Sequence, residues 1–145
     1  MTQTSTAESP WAVVTGASRG IGAAIARALA PRYRLILVAR TQAPLQALAQ
    51  ELATETHILT ADLADGPQTE ALVDKILAHT SASSGALAAL INNAGLAHAA
   101  PLTRTSNADY QRLVAVNLTA PFVLSRGLLK HLAAAEHARI VNIAS

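Results

Sequence analysis

The run Leu35-Ile36-Leu37-Val38 constrains this chain more than any other stretch. Successive side chains of a strand point to opposite faces, so a strand that is apolar at every position needs cover on both sides. Similar short runs occur at Trp11 to Thr15, His57 to Thr60, Leu87 to Ile91 and Ala138 to Ala144. Between them apolar residues return at helical spacing. Ile21, Ile25, Ala28 and Leu29 mark a first helix that Pro31 stops, and Leu45, Leu48 and Leu52 a second. Pro67 opens a third, carried by Leu72, Val73, Ile76 and Leu77, with Thr80 to Gly85 as a loop after it. Ser106 and Asp109 form a capping-box pattern at the start of a fourth tract. That tract runs through Phe122, Leu128, Leu129 and Leu132, with an irregularity near Pro121. Strand and helix in alternation predict right-handed crossovers and an α/β fold, a doubly wound parallel sheet of five strands.

Composition narrows the function. Hydrophobic residues make up 51% of the chain and charged ones 14%, enough apolar matter for a core. A net charge of +2 with no basic run argues against a nucleic-acid partner. The chain has no cysteine, and the five histidines show no ligand spacing, so we expect no metal site. MTQTSTAESP lacks the pattern of a signal peptide, and residues 1–10 read as a mobile tail before a domain over 11–145. Asn92-Asn93 and Pro101 interrupt the longest apolar stretch, which predicts no membrane segment and a cytoplasmic protein.

In doubly wound folds ligands sit at the carboxyl ends of the strands. The first such loop reads Thr15-Gly16-Ala17-Ser18-Arg19-Gly20-Ile21-Gly22. Gly16 suits a tight turn off the strand, Gly20 a close approach by a pyrophosphate, and Gly22 close packing of the helix on the sheet. Amides and dipole at the start of the following helix would then face the phosphates. No Gly-Lys-Ser/Thr follows, which disfavours a nucleoside-triphosphate loop.

Five motifs in order resemble the short-chain dehydrogenase/reductase family, with a general similarity to its 3-oxoacyl-carrier-protein reductases. They are the glycine loop, Asp62-Leu63, Asn92-Asn93-Ala94-Gly95, Val116-Asn117 and Ile143-Ala144-Ser145. The resemblance implies a Rossmann-type dinucleotide domain and hydride transfer between NADP(H) or NAD(H) and a ketone or secondary alcohol. It also implies that Asp62 meets the adenine amino group and that Asn92 or Asn93 steadies the sheet, with Ala94-Gly95 against the cofactor. Asn117 is implied to hold a water in a proton relay; an internal bond at a helix kink is the plainer reading. Ser145 is implied to hydrogen-bond the substrate oxygen, and the longer form to be a homo-oligomer.

Cofactor choice follows from charge. A free ribose 2′-hydroxyl favours an acid after the second strand, and a 2′-phosphate favours arginine. Here Arg40 follows that strand and Arg19 lies in the glycine loop, which favours NADP(H) over NAD(H). The family's acid/base pair, Tyr-x-x-x-Lys, is absent: Leu37 and Val114 stand four positions after Tyr33 and Tyr110. The chain therefore reads as the cofactor-binding N-terminal part of a longer enzyme, inactive alone, with its fifth strand an exposed apolar edge. A non-catalytic dinucleotide-binding or regulatory protein ending at Ser145 is the alternative.

Overall fold

A computed structural model describes residues 9–144. Its strands are β1 (Trp11–Thr15), β2 (Arg34–Ala39), β3 (Thr56–Thr60), β4 (Leu87–Asn92) and β5 (Arg139–Asn142). Its α-helices are α1 (Gly20–Leu29), α2 (Gln42–Glu51), α3 (Gly66–Ala82), α4 (Asn107–Val114) and α5 (Ala120–Ala133). The strands form one parallel sheet in the order β3-β2-β1-β4-β5, so the direction of winding reverses between β1 and β4.

The alternation inside the central strands β1 and β2 explains why their sequences are apolar at nearly every position. Trp11 and Val13 of β1, with Ile36 and Val38 of β2, join Leu72, Ile76, Leu124 and Leu128 in one core under α3 and α5. Ala12, Val14, Leu35 and Leu37 face the other way and meet Ala23, Ala26, Leu45 and Leu48 of α1 and α2. Two layers of helices thus cover the sheet, as the doubly wound reading requires.

Several local expectations shift. In α1 the buried face is Gly22, Ala23 and Ala26, while Ile21 is 63% exposed and Ala28 also lies outward. Small residues let this helix approach the sheet closely, and a stripe of Ile and Leu would hold it away. α3 runs three residues into the expected loop, through Ala82, and Thr80 is buried with its hydroxyl donating to the Ile76 carbonyl at 3.0 Å. Ser106 and Asp109 do form a capping box, and the Ser106 bonds hold the Asp109 carboxyl below the usual range. The irregularity expected near Pro121 is a π-helical turn over Ala115–Thr119. Of the predicted tail, Ser9 and Pro10 are held, since their carbonyls accept from Arg34; the rest lies outside the described residues.

α4, the π turn and α5 run on as one helix, Asn107–Ala133, long and apolar enough to cross a membrane by length and composition. Sequence reading expected no such segment. Its inward stripe, Val116, Ala120, Val123, Leu124, Leu128 and Leu132, is buried in the core. Leu118, Phe122 and Leu129 of the predicted stripe or its continuation are more than half exposed. β5 is exposed along its length, as expected.

Candidate dinucleotide site

The site is built where the winding reverses, beyond the carboxyl ends of β1, β2, β3 and β4. Thr15, the last residue of β1 and 1% exposed, organises it. Its hydroxyl accepts from the backbone N–H groups of Asn93 and Ala94 at 3.1 and 3.0 Å, and donates to the Ile91 carbonyl at 3.3 Å. Asn93 returns the contact, its side-chain amide donating to the carbonyls of Thr15 and Gly16 at 3.1 and 3.2 Å. Asn92 points to the opposite side and donates to Asn142 Oδ1 on β5 at 2.8 Å. The open choice between the two asparagines thus resolves into two ties, one to each neighbouring strand.

This knot fixes the glycine loop. Gly16 and Gly20 hold φ of +65° and +56°, a region L side chains rarely adopt. A Cβ on Gly22 would overlap the Gly16 carbonyl and the Asn93 amide, so a bare backbone is what lets α1 seat against the loop. A Cβ on Gly20 would meet no atom within 4 Å. The chain is open above that residue, as expected for a place where another molecule comes close.

The helix starts separate into two kinds. α3 is capped by Asp65, whose side chain accepts from the Gln68 N–H at 2.9 Å, and α4 by its Ser106 box. α1 and α2 begin at Arg19 and Thr41 with no side-chain cap and no acid in the first turn. Both uncapped starts border the site, leaving amide groups and positive dipole ends there.

A cleft of about 380 Å³ lies over the loop. The glycine loop lines one wall through Gly16, Ser18, Arg19, Gly20 and Ile21, and Asn93, Ala94 and Gly95 line another. Arg40, Asp62 and Leu63 close the far end. Ile21 thereby trades its expected core position for the cleft wall. Gly22 lies beneath the cleft, in the packing. Among the described residues Arg19 and Arg40 make no ion pair or side-chain hydrogen bond, and a shallow extension between them also touches Ser18, Thr41 and Pro44.

Asn117 lies outside the cleft lining. Its side chain pairs in both directions with Leu96, Oδ1 accepting from the N–H and Nδ2 donating to the carbonyl, each at 2.8 Å. The π turn carries this asparagine to the loop after β4, so its bond is neither internal to the helix nor free. Ser145 lies outside the described residues. Thr15 heads the glycine motif in the sequence, but its bonds to Asn93 and Ala94 are not legible there; Arg112, which comes to the cleft from α4 and lies 3.5 Å from Asp62 Oδ2, had no sequence signal. No group of three or more His, Cys, Asp or Glu suited to a metal occurs among the described residues.

Residues 10–145 match the family model described as short chain dehydrogenase. The chain is 37% identical over 135 residues to nodulation protein G of Rhizobium sp. (strain N33), covering 92% of this chain and 54% of that protein. It is 33% identical over 135 residues to 3-oxoacyl-(acyl-carrier-protein) reductase FabG of Escherichia coli (strain K12), with the same coverage, 92% and 54%. It therefore spans about half the length of these curated relatives. Among solved structures, a metagenomic short-chain oxidoreductase in complex with NADP superposes with a TM-score of 0.86 at 37% identity, over 97% of this chain and 63% of that one. A short-chain dehydrogenase from Sphingobium yanoikuyae in complex with NADPH gives 0.80 at 33% identity, over 94% and 54%.

Proposed function

Since the chain belongs to the short-chain dehydrogenase family, we propose that it binds NADP(H) in the cleft and forms the cofactor half of a reductase or dehydrogenase for ketones or secondary alcohols. One observation carries the reading. An uncapped helix start lies beneath an open glycine turn, beside two arginines without partners among the described residues. Such a place is stabilised by anions and has none of its own.

The residues fit the dinucleotide from end to end. The loop over Gly16, Ser18, Gly20 and Ile21 and the α1 amides would hold the pyrophosphate, with Gly22 allowing the helix to come that close. Arg19 and Arg40 would take the ribose 2′-phosphate through their guanidinium forks, where NAD(H) offers only a neutral hydroxyl. Asp62 and Leu63 would face the adenine. Asn93, Ala94 and Gly95 would back the nicotinamide half, held flat by Thr15. The bound dinucleotide supplies or accepts the hydride; the protein orients it and excludes water around it.

Proton handling needs a group at the substrate oxygen. We assign the contact to that oxygen to Ser145. Asn117, committed to Leu96, would act by holding the loop after β4, and its part in a water relay belongs to this proposal. The 145 residues contain no Tyr-x-x-x-Lys, so we expect them to bind the cofactor without turnover.

Titrating the 145-residue chain with NADPH, read by nicotinamide fluorescence, tests the reading. Saturable binding that Gly20→Val weakens about tenfold or more is expected, because valine at positive φ is strained and fills the approach. A folded sample with no saturable signal would end it. Steady NADPH oxidation with a panel of ketones would overturn the expected lack of turnover.

A further inference from the structure

One ion pair in the cleft is not explained by the glycine loop. Asp62 follows β3, and its Oδ1 accepts from the Ala64 N–H at 3.0 Å. Its Oδ2 lies 3.5 Å from Nη2 of Arg112 on α4. The two side chains are 34% and 47% exposed, and a pair that open to water adds little to stability. What the pair does fix is direction. One carboxylate oxygen is held by its own loop and the other by a helix from a distant part of the chain. Arg112 and Val116 are four positions apart, on one helical face, and both reach the cleft wall.

We propose that Arg112 is a positioning residue for purine recognition, holding the Asp62 carboxylate so that it accepts from a 6-amino purine edge and rejects a 6-oxo edge. The inference rests on the dinucleotide reading above. A carboxylate only accepts hydrogen bonds, and after Ala64 and Arg112 each oxygen keeps one further acceptor direction. An adenine amino group can donate to it. The carbonyl of hypoxanthine would set lone pair against lone pair. Arg112 only donates, so if it touched the base directly the preference would reverse.

The test titrates the 145-residue chain with NADPH and with deamino-NADPH, its 6-oxo analogue, by nicotinamide fluorescence. The unaltered chain should favour NADPH by about tenfold, the size of one hydrogen bond to a charged group. Arg112→Leu should reduce that ratio to about threefold or less by weakening NADPH while leaving the analogue nearly unchanged. Arg112→Lys, which keeps the charge, should restore part of the ratio. In all three the preference for NADPH over NADH should stay constant, because it is read at the ribose 2′-phosphate by Arg19 and Arg40 and not at the edge of the base. A ratio unchanged in Arg112→Leu overturns the proposal, as does an unaltered chain that binds both forms equally or favours the 6-oxo form. Those results leave NADPH binding itself in place. If NADPH fails to saturate the unaltered chain, the reading of the whole site falls with the proposal.

Discussion

β2 carries an arginine at each end, and the two lead opposite lives. Arg34, its first residue, is 2% exposed. Its Nε donates to the Ser9 carbonyl at 2.8 Å, Nη1 reaches Glu55 at 3.4 Å, and Nη2 bonds the Ser84 carbonyl. The guanidinium lies 4.4 Å from the ring centroid of Trp11, and Gly85 at φ +91° makes room for it. Arg40, just past the last residue of the strand, is exposed on the cleft rim with no partner among the described residues. At the amino end of β2 the guanidinium is satisfied on every side. The carboxyl ends are held open, with charge left over for something else. Residue type does not distinguish the two arginines; the count of their satisfied donors does.

The contrast can be broken most severely at the closed end. Arg34→Leu removes three polar contacts and leaves a gap beside Trp11, so we expect a loss of about 2–4 kcal/mol in urea unfolding. Trp11 is the single tryptophan and reports on that end directly. A loss below about 0.5 kcal/mol, the range of ordinary surface changes, would show that the closed end is no more structural than the rim.

Next in size, Arg40→Ala should leave the urea midpoint almost unchanged yet weaken NADPH about tenfold, with NADH little affected. If stability fell and NADPH binding did not, the two ends would have exchanged roles.

The smallest effect is on pH. His57 and His79 stack at the closed end with ring centroids 3.7 Å apart, and His79 meets Trp11 edge-on. Burial lowers the pKa of both. For His79 the neighbouring His57 and Arg34 lower it further, while Glu55 raises it. The unfolded chain then takes up protons first, so stability is full above the ordinary histidine value of 6.5 and declines as pH falls below it. Urea midpoints should drop between pH 7 and 5.5, and less so in His57→Gln/His79→Gln. A flat profile in the unaltered chain would mean the stacked pair does not resist protonation.

Much of the site was legible before any fold was known. The glycine spacing, the arginine in place of an acid after β2, and the Asn-Asn-Ala-Gly stretch all sit in or beside the cleft, and each is a short run of residue types that can be read locally, although the two asparagines bond residues 50 or more positions away. The misreadings were of another kind. Ile21 looked like core because hydrophobicity predicts burial, but the small face of α1 took that place. Thr15 stood in the glycine motif without its bonding role showing, and Arg112 gave no signal, since a helix arginine is ordinary in sequence.

The order of strands and helices, the loop that turns through positive φ and the capping box of α4 were all settled by the chain itself, through side-chain period and local backbone sterics. Only the folded molecule decided that Arg34 is sealed and Arg40 is not, that Asn117 meets Leu96, and that Arg112 faces Asp62. Those are pairings between residues far apart in the chain, and they come into being only when the sheet and its helices close around one another.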